Sequence, residues 1–358
     1  MPKREVPAQP ETDDGRGPRL TTMRDIAREA GVSQSTVSRV LNDAPTRVPI
    51  AAETRERVTL AARRLGYRPN PLARGLRGAP TMLLGAVVRD ITDPFFAGAI
   101  EALSVEAMAR GYNVVLGHAH GRADEALALT AVLETRHCDA IVLLGDVQDQ
   151  PRLLADLKDS LVPVVALWQG SSALGVPTID VDNEAGVRAA VDHVAGLGHE
   201  RIAFVSGRPL GDILEREAAF TQIMTERFGG VPDGYLQHVS NTPSGGEMAV
   251  ELLMRLAQPP TAIVASTDTL AFGVLHAAHA LGKRVPDDLS VVGFDDIALA
   301  GHTVPALTTL RMPSREIVGE GLDIAIELSR NPGQRAARSV RVIPPELIVR
   351  QSTAPPPG

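Results

Sequence analysis

From Met82 to about residue 350 the chain alternates short apolar runs with longer amphipathic stretches, and that alternation restricts the fold more than any other feature. MLLGAVV, YNVVLG, AIVLLG and PVVAL come first; after Asp182 follow RIAFVSG, YLQHVS, TAIVAS and LSVVGF. Short runs that are apolar on both sides suit strands of a parallel sheet, whose two faces are both covered. Stretches such as PFFAGAIEALSVEAMARG and EALALTAVLETRH lie between them and have the length and pattern of helices. Repeated β-α-β units predict two doubly wound parallel sheets of four or so strands each. Open sheets of this kind bind ligands outside the carboxyl ends of their strands, so the expected site is a cleft between two lobes.

The texture upstream is different. Thr22 precedes MRDIAREA, in which Met23, Ile26, Ala27 and Ala30 recur at helical spacing. Gly31 ends that helix, because glycine turns to positive φ at little cost. Ser33 is placed to cap a second helix, QSTVSRVLN, with Val37, Val40 and Leu41 facing inward. A third helix near AAETRERVTLAARRLG stops at Gly66. Three short helices over residues 21–67 predict a small all-α domain of helix-turn-helix form. The segment 68–80 reads as a hinge, and residues 81–350 as the two-lobed body. Residues 1–20 and 351–358 carry proline, glycine and polar residues without apolar period, and are expected to be disordered tails.

Charge divides along the same line. Residues 1–80 carry 15 Lys/Arg against 9 Asp/Glu, and the remainder 21 against 34. A basic head on an acidic body suits a polyanionic partner for the head. If the head is a DNA-reading motif, its second helix lies in the major groove, with Gln34 and Ser35 first to reach base edges and Arg39 one turn on. Arg pairs with guanine and Gln with adenine. The residues alone leave open an ordinary helical hairpin with a polar face.

Other classes fare worse. The N-terminus has no apolar core of a signal peptide, and no run is long enough to span a bilayer, so the expected location is the cytoplasm. Cys138 is the single cysteine, which excludes internal disulfides and thiolate-rich zinc sites. No GxGxxG after a strand, Walker loop or GxSxG elbow is present, so an enzyme is not expected, and no cofactor or metal is. A transport solute-binding protein fits the body, but it would need a signal peptide and no head.

The ordered motifs narrow this further. TMRDIAREAGVSQSTVSRVLN with ETRERV, LGYRPN and LARGL resembles the DNA-binding head and hinge of LacI/GalR-family regulators. ITDPFF, RGYNVVLG, VDNEAG, LGHERIAFVSG, VPDDLSVVGFDDI and PALTTLRMP extend the resemblance through the body, over roughly residues 21–350. It implies a periplasmic-binding-protein-like body, a homodimer on a pseudo-palindromic double-stranded operator, and a small effector, carbohydrate or related, controlling operator affinity. Such regulators are most often repressors.

By position, Gln34, Ser35 and Arg39 match base-contacting residues of the family, while Thr22, Thr36, Ser38 and Asn42 match phosphate-side ones. Leu76 matches the hinge leucine that wedges into the minor groove, with Asn70, Ala73 and Arg74 completing the hinge. The loop NDAPTRVPIAAETR is longer than usual, which leaves local phosphate contacts open, Arg47 included.

In the cleft the resemblance points to Phe95 and Phe96 against the ligand, Arg216 and Asp295 as polar partners, and Asn241 and Thr267 toward the effector. An Arg–Asp structural pair is the alternative reading of Arg216 and Asp295. Trp168 stands where many relatives have an aspartate; it is either a stacking platform or a lid. His118 is placed to hydrogen-bond an effector. His199 reads as structural, and Asp268 as a helix N-cap rather than a ligand.

Overall fold

The computed structural model describes residues 21–41, 49–67, 80–147, 150–157, 160–170, 175–207, 210–331 and 340–357. The chain divides into two compact units, Met1–Arg77 and Gly78–Gly358.

The first unit holds α1 (Met23–Ala30), α2 (Gln34–Leu41) and α3 (Ala52–Arg64). Asp25 reaches back to the start of α1, accepting from the Thr22 N–H at 2.9 Å and from its hydroxyl at 2.7 Å. Gly31 sits at φ 64° and lets the chain reverse within one residue. Ser33 Oγ then accepts from Thr36 N at 3.1 Å and caps α2. Ile26, Val37 and Val58, one from each helix, are fully buried together. This core is small, and it leaves the polar face of α2 outward.

The second unit contains two six-stranded sheets. In chain order its first strands and helices are β1 (Leu83–Val88), α4 (Pro94–Ala109), β2 (Asn113–His118), α5 (Ala123–Thr135), β3 (Ala140–Leu144), α6 (Gln150–Leu157), β4 (Val164–Leu167) and β5 (Thr178–Val181). The second lobe follows with α7 (Asn183–Gly196), β6 (Ile202–Ser206), α8 (Gly211–Phe228), β7 (Leu236–His238), α9 (Pro243–Leu253), β8 (Ala262–Ala265), α10 (Asp268–Ala280), β9 (Ser290–Asp295) and β10 (Thr308–Arg311). Three late elements, α11 (Ser314–Arg330), β11 (Val340–Ile343) and β12 (Glu346–Ile348), complete both lobes.

The sheet orders are β11-β5-β4-β3-β1-β2 and β12-β10-β9-β8-β6-β7. All neighbours run parallel except β12, which pairs antiparallel with β10. The expected four or so strands per lobe become six: β5 and β10 extend the consecutive runs to five, and the chain returns to each sheet once more through β11 and β12. It crosses between lobes after β5, after β10 and after β11, and α11 packs on α4, β3 and β4 of the first lobe.

Two expectations need correction. The run YNVVLG is not buried on both sides: β2 is an edge strand, and Val115 and Leu116 are exposed, Leu116 on the same surface groove as Met108 of α4. Nor is the segment after Arg350 a free tail over the described residues 351–357. Ser352 is fully buried, its hydroxyl donating to Val291 O at 2.6 Å and accepting from Thr308 N at 2.8 Å. Val291 N returns a bond to Ser352 O, and Ala354 O meets His199 Nε2 at 2.8 Å. The segment is held by main-chain hydrogen bonds, which leave no apolar period to read. His199 is structural here, its Nδ1 being 2.9 Å from Thr261 Oγ1.

Candidate functional site

In the head, Gln34, Ser35 and Arg39 are exposed on α2, and Thr36 and Ser38 are half-buried beside them. Ser33 Oγ lies 2.8 Å from both the Ser35 and Thr36 hydroxyls, which orders the first turn. Thr22 is exposed at the cap of α1. The positions assigned to Asn42, Asn70, Ala73, Arg74 and Leu76, and the loop residue Arg47, lie outside the described residues.

In the body, a cavity of about 540 Å³ opens between the lobes. Its walls come from the carboxyl ends of strands in both sheets: Arg89, Asp90 and Asp93 after β1, His120 after β2, Asn241 after β7, and Leu299 after β9. Leu210, Ile213 and Phe272 add apolar surface. That volume accommodates one small molecule. A larger groove of about 600 Å³ runs along α8 from Leu214 to Glu226. It is lined by a single helix, so no groups converge on it from opposite lobes, and the cleft is the better candidate.

Of the eight residues expected at the effector, Asn241 lines this cavity. Thr267 caps α10 by accepting from Leu270 N at 3.3 Å, and its hydroxyl meets Asn241 Oδ1 at 2.6 Å. The N-cap expected at Asp268 is therefore Thr267. Asp268 is the buried first residue of α10, accepting from Thr309 Oγ1 and from Ile297 N. Burial pushes its carboxyl up to about 7.

Phe96 is buried within the first lobe, edge-on to Phe95 at 5.1 Å. Phe95 in turn meets the Trp168 ring edge-on at 5.2 Å. Trp168 is buried with φ 55°, and its indole N–H has no hydrogen-bond partner among the described residues. His118 stacks against His120 at 3.8 Å, but it is His120 that reaches the cavity wall. His118 Nε2 is 3.4 Å from Asp90 Oδ1 without a hydrogen bond between them.

Arg216 and Asp295 form the polar floor. Arg216 is 1% exposed; Nε donates to Asn183 Oδ1 at 2.8 Å and an Nη to Ser266 O at 2.6 Å, while Asp295 Oδ1 lies at 3.4 Å. Its guanidinium stacks on the Phe294 ring at 3.7 Å. Burial drives the Asp295 carboxyl well above its usual range, and Arg216 opposes that rise.

A second charged cluster was not singled out from the sequence. Arg89 pairs with Asp146 at 2.9 Å, Asp212 at 3.5 Å and Asp93 at 3.6 Å, and so ties the first lobe to α8 of the second. Asp146 also accepts from Gly211 N at the start of α8. Burial opposes the Arg89 cation, yet Asp212, Asp146 and Asp93 together leave it more firmly protonated than usual. Burial, reinforced by Asp212, lifts Asp146 to about 6. The available signal was a charged residue directly after an apolar strand, as in AVVRD and VLLGD.

Asp180 on β5 is held by Val181 N and Gln169 N, and burial raises it to about 7. A carboxyl raised in the native state stabilises it fully only below the unfolded value, about 3.9, and loses that contribution as pH rises through 7. The stability of Asp180→Asn relative to the unsubstituted chain is therefore expected to improve by about 1 kcal/mol from pH 6 to pH 8. Urea melts at the two pH values measure it; a difference that is constant with pH would place the titration elsewhere.

Among the described residues no helix is long and apolar enough to cross a membrane, and no group of three or more His, Cys, Asp or Glu could hold a metal ion.

Residues 22–70 match the profile of bacterial regulatory proteins of the lacI family, and residues 191–353 that of a periplasmic binding protein-like domain. Catabolite control protein A of Priestia megaterium is 33% identical over 93% of this chain and 99% of its own. The HTH-type transcriptional repressor CytR of Escherichia coli (strain K12) is 34% identical over 93% of this chain and 96% of its own. Among solved structures, the lac repressor dimer bound to operator and the anti-inducer ONPF superposes with a TM-score of 0.82 at 27% identity. That match covers 94% of this chain and all of the other.

Proposed function

This chain belongs to the LacI family of bacterial regulatory proteins, and on that premise we propose that it is a cytoplasmic, non-enzymatic repressor. It binds a pseudo-palindromic operator as a homodimer, and a small carbohydrate-like effector in the cleft sets its operator affinity. The domain division proposed is a head over 21–67, a hinge over 68–80 and a body from 81 onward. The observation that carries the reading is the outward polar face of α2, where Gln34, Ser35 and Arg39 are exposed above a closed three-helix core. Dimerisation is supported by Met108 of α4 and Leu116 of β2, exposed together on one shallow surface groove, since exposed apolar patches mark association surfaces.

The test is binding by fluorescence anisotropy to operators selected from random sequence. Arg39→Ala is expected to weaken the selected site by ~1–3 kcal/mol and to relax preference at one position per half-site. Equal weakening on selected and random DNA would make Arg39 a phosphate contact. Selection of no sequence at all would overturn the repressor reading.

A further inference from the structure

Two lobes joined only by chain crossovers would be free to part at the far side of their cleft. The crossovers all lie to one side: β11 and β5 are the first two strands of one sheet, β12 and β10 the first two of the other. The chain nevertheless ties the lobes together well away from that side. Asp146 follows β3 and Arg89 follows β1, the fourth and fifth strands of the first sheet. Both meet the start of α8, which follows β6, the fifth strand of the second.

Three kinds of contact make the tie. Arg89 is fixed within its own lobe by Asp146 at 2.9 Å, Asp93 at 3.6 Å and the Phe96 ring at 4.8 Å, and from there it reaches Asp212 of the other lobe at 3.5 Å. Asp212 in turn lies 3.6 Å from Arg216, so the ion pairs run unbroken from one lobe to the floor of the other. Asp146 also accepts from the Gly211 N–H. Finally the backbones touch. A Cβ on Gly211 would lie 2.6 Å from the Gln169 carbonyl oxygen, and one on Gly170 would lie 2.9 Å from the Gly211 carbonyl carbon. Only glycine on both sides permits so close an approach.

Every one of these contacts joins groups of the chain itself, and the charges are shielded: the side chains of Arg89, Asp146 and Asp212 are 11%, 3% and 12% exposed. Such pairs are screened little by salt, and removing one partner strands the others. We propose that this cluster is a latch between the lobes. Arg89 and the Gly170–Gly211 contact hold the cleft closed without an effector, and the closed arrangement is the resting state of the body. One consequence rests on the effector reading above. An effector enters between lobes already joined, and it shifts operator affinity only as far as it binds the latched and the opened state unequally.

Gly211 reports the latch directly. It is the first residue of α8, and the first amides of a helix find no partner within it. Its N–H is held instead by Asp146 of the other lobe. Hydrogen exchange is followed on the full chain by mass spectrometry resolved to single amides, with neither effector nor DNA added. The Gly211 amide is expected to exchange about tenfold or more slowly than an open one. Arg89→Met removes the shared cation. Gly211→Ala adds a methyl group whose obstacle stands in the other lobe, so each lobe still folds. Both substitutions are expected to abolish protection at position 211, to leave β3 and β8 exchanging as before, and to raise the radius of gyration in small-angle scattering. Arg89→Lys keeps the charge without the planar fork and should recover part of the protection. If Arg89→Met unfolds, Gly211→Ala decides the matter. The latch is refuted if the Gly211 amide of the unsubstituted chain exchanges freely, or if Gly211→Ala or a folded Arg89→Met keeps the protection. It is refuted equally if protection is lost with no rise in radius, since α8 would then fray without the lobes parting. No effector or operator enters the measurement, so its failure leaves the repressor reading standing, and a chain that selects no DNA leaves the latch standing.

Discussion

Arg216→Ala is expected to destabilise the body by about 3–5 kcal/mol, because it removes one partner of a buried ion pair and strands the others. Asp295, Asn183 and the Ser266 carbonyl would lose the donor they share, and Phe294 its stacking cation. At ~2–4 °C per kcal/mol for a domain of this order, the melting temperature falls by roughly 10 °C or more. Arg216→Lys keeps the charge without the planar fork, and should fall between the two. Thermal melts of purified body and full chain measure this. An unchanged melting temperature for Arg216→Ala would show the floor to be indifferent to its cation, and Arg216 to be held for ligand alone. With Arg216 so engaged, a substitution there mixes folding with binding, and Asn241 is the cleaner position for an effector test.

Gly273→Ala should be at least as damaging. A Cβ at Gly273 would lie 1.8 Å from the Pro243 carbonyl oxygen, and one at Gly246 would lie 2.2 Å from that of Leu270. The two glycines let α9 and α10 approach backbone to backbone. Neither obstacle is a side-chain end that can swing aside, so the helices must part, at about 3 kcal/mol or more. Gly98→Ala on α4 is the control: nothing stands within 4 Å of its Cβ, and alanine is the better helix former by ~1 kcal/mol. Urea denaturation of the two variants should therefore move in opposite directions. If Gly273→Ala melts like the unsubstituted chain, the close approach of α9 and α10 is not a requirement of the fold.

Much of the architecture was legible because it depends on local patterns. Apolar runs of strand length marked most strands, and Thr22, Gly31 and Ser33 marked the helix starts and stops of the head. What escaped depends on distant pairing. β11 and β12 are short, and their place in the two sheets follows from crossovers that no local pattern encodes. The docked segment after Arg350 is held through Ser352 and main-chain atoms. In the cleft, Arg216 and Asp295 were found through resemblance, and the structure sets them beside each other at the buried floor rather than in the open cavity. Arg89, Asp146 and Asp212 escaped because their significance lies in meeting across two lobes, 57 to 123 residues apart in the chain.

The late return of the chain to its first lobe sets an order on biosynthesis. The five consecutive strands β1–β5 leave the ribosome well before α11, which shields β3, β4 and β5, and before β11, which borders β5. Until Arg330 has emerged, Leu167 lacks its neighbour Gly321, and the part of the nascent sheet over β3, β4 and β5 stays uncovered on one face. A nascent chain stalled near Met312 would thus present nearly all of the second lobe's strands and an unroofed first lobe. Premature termination there should yield a sticky product that chaperones retain or proteases remove, rather than a shortened, working half.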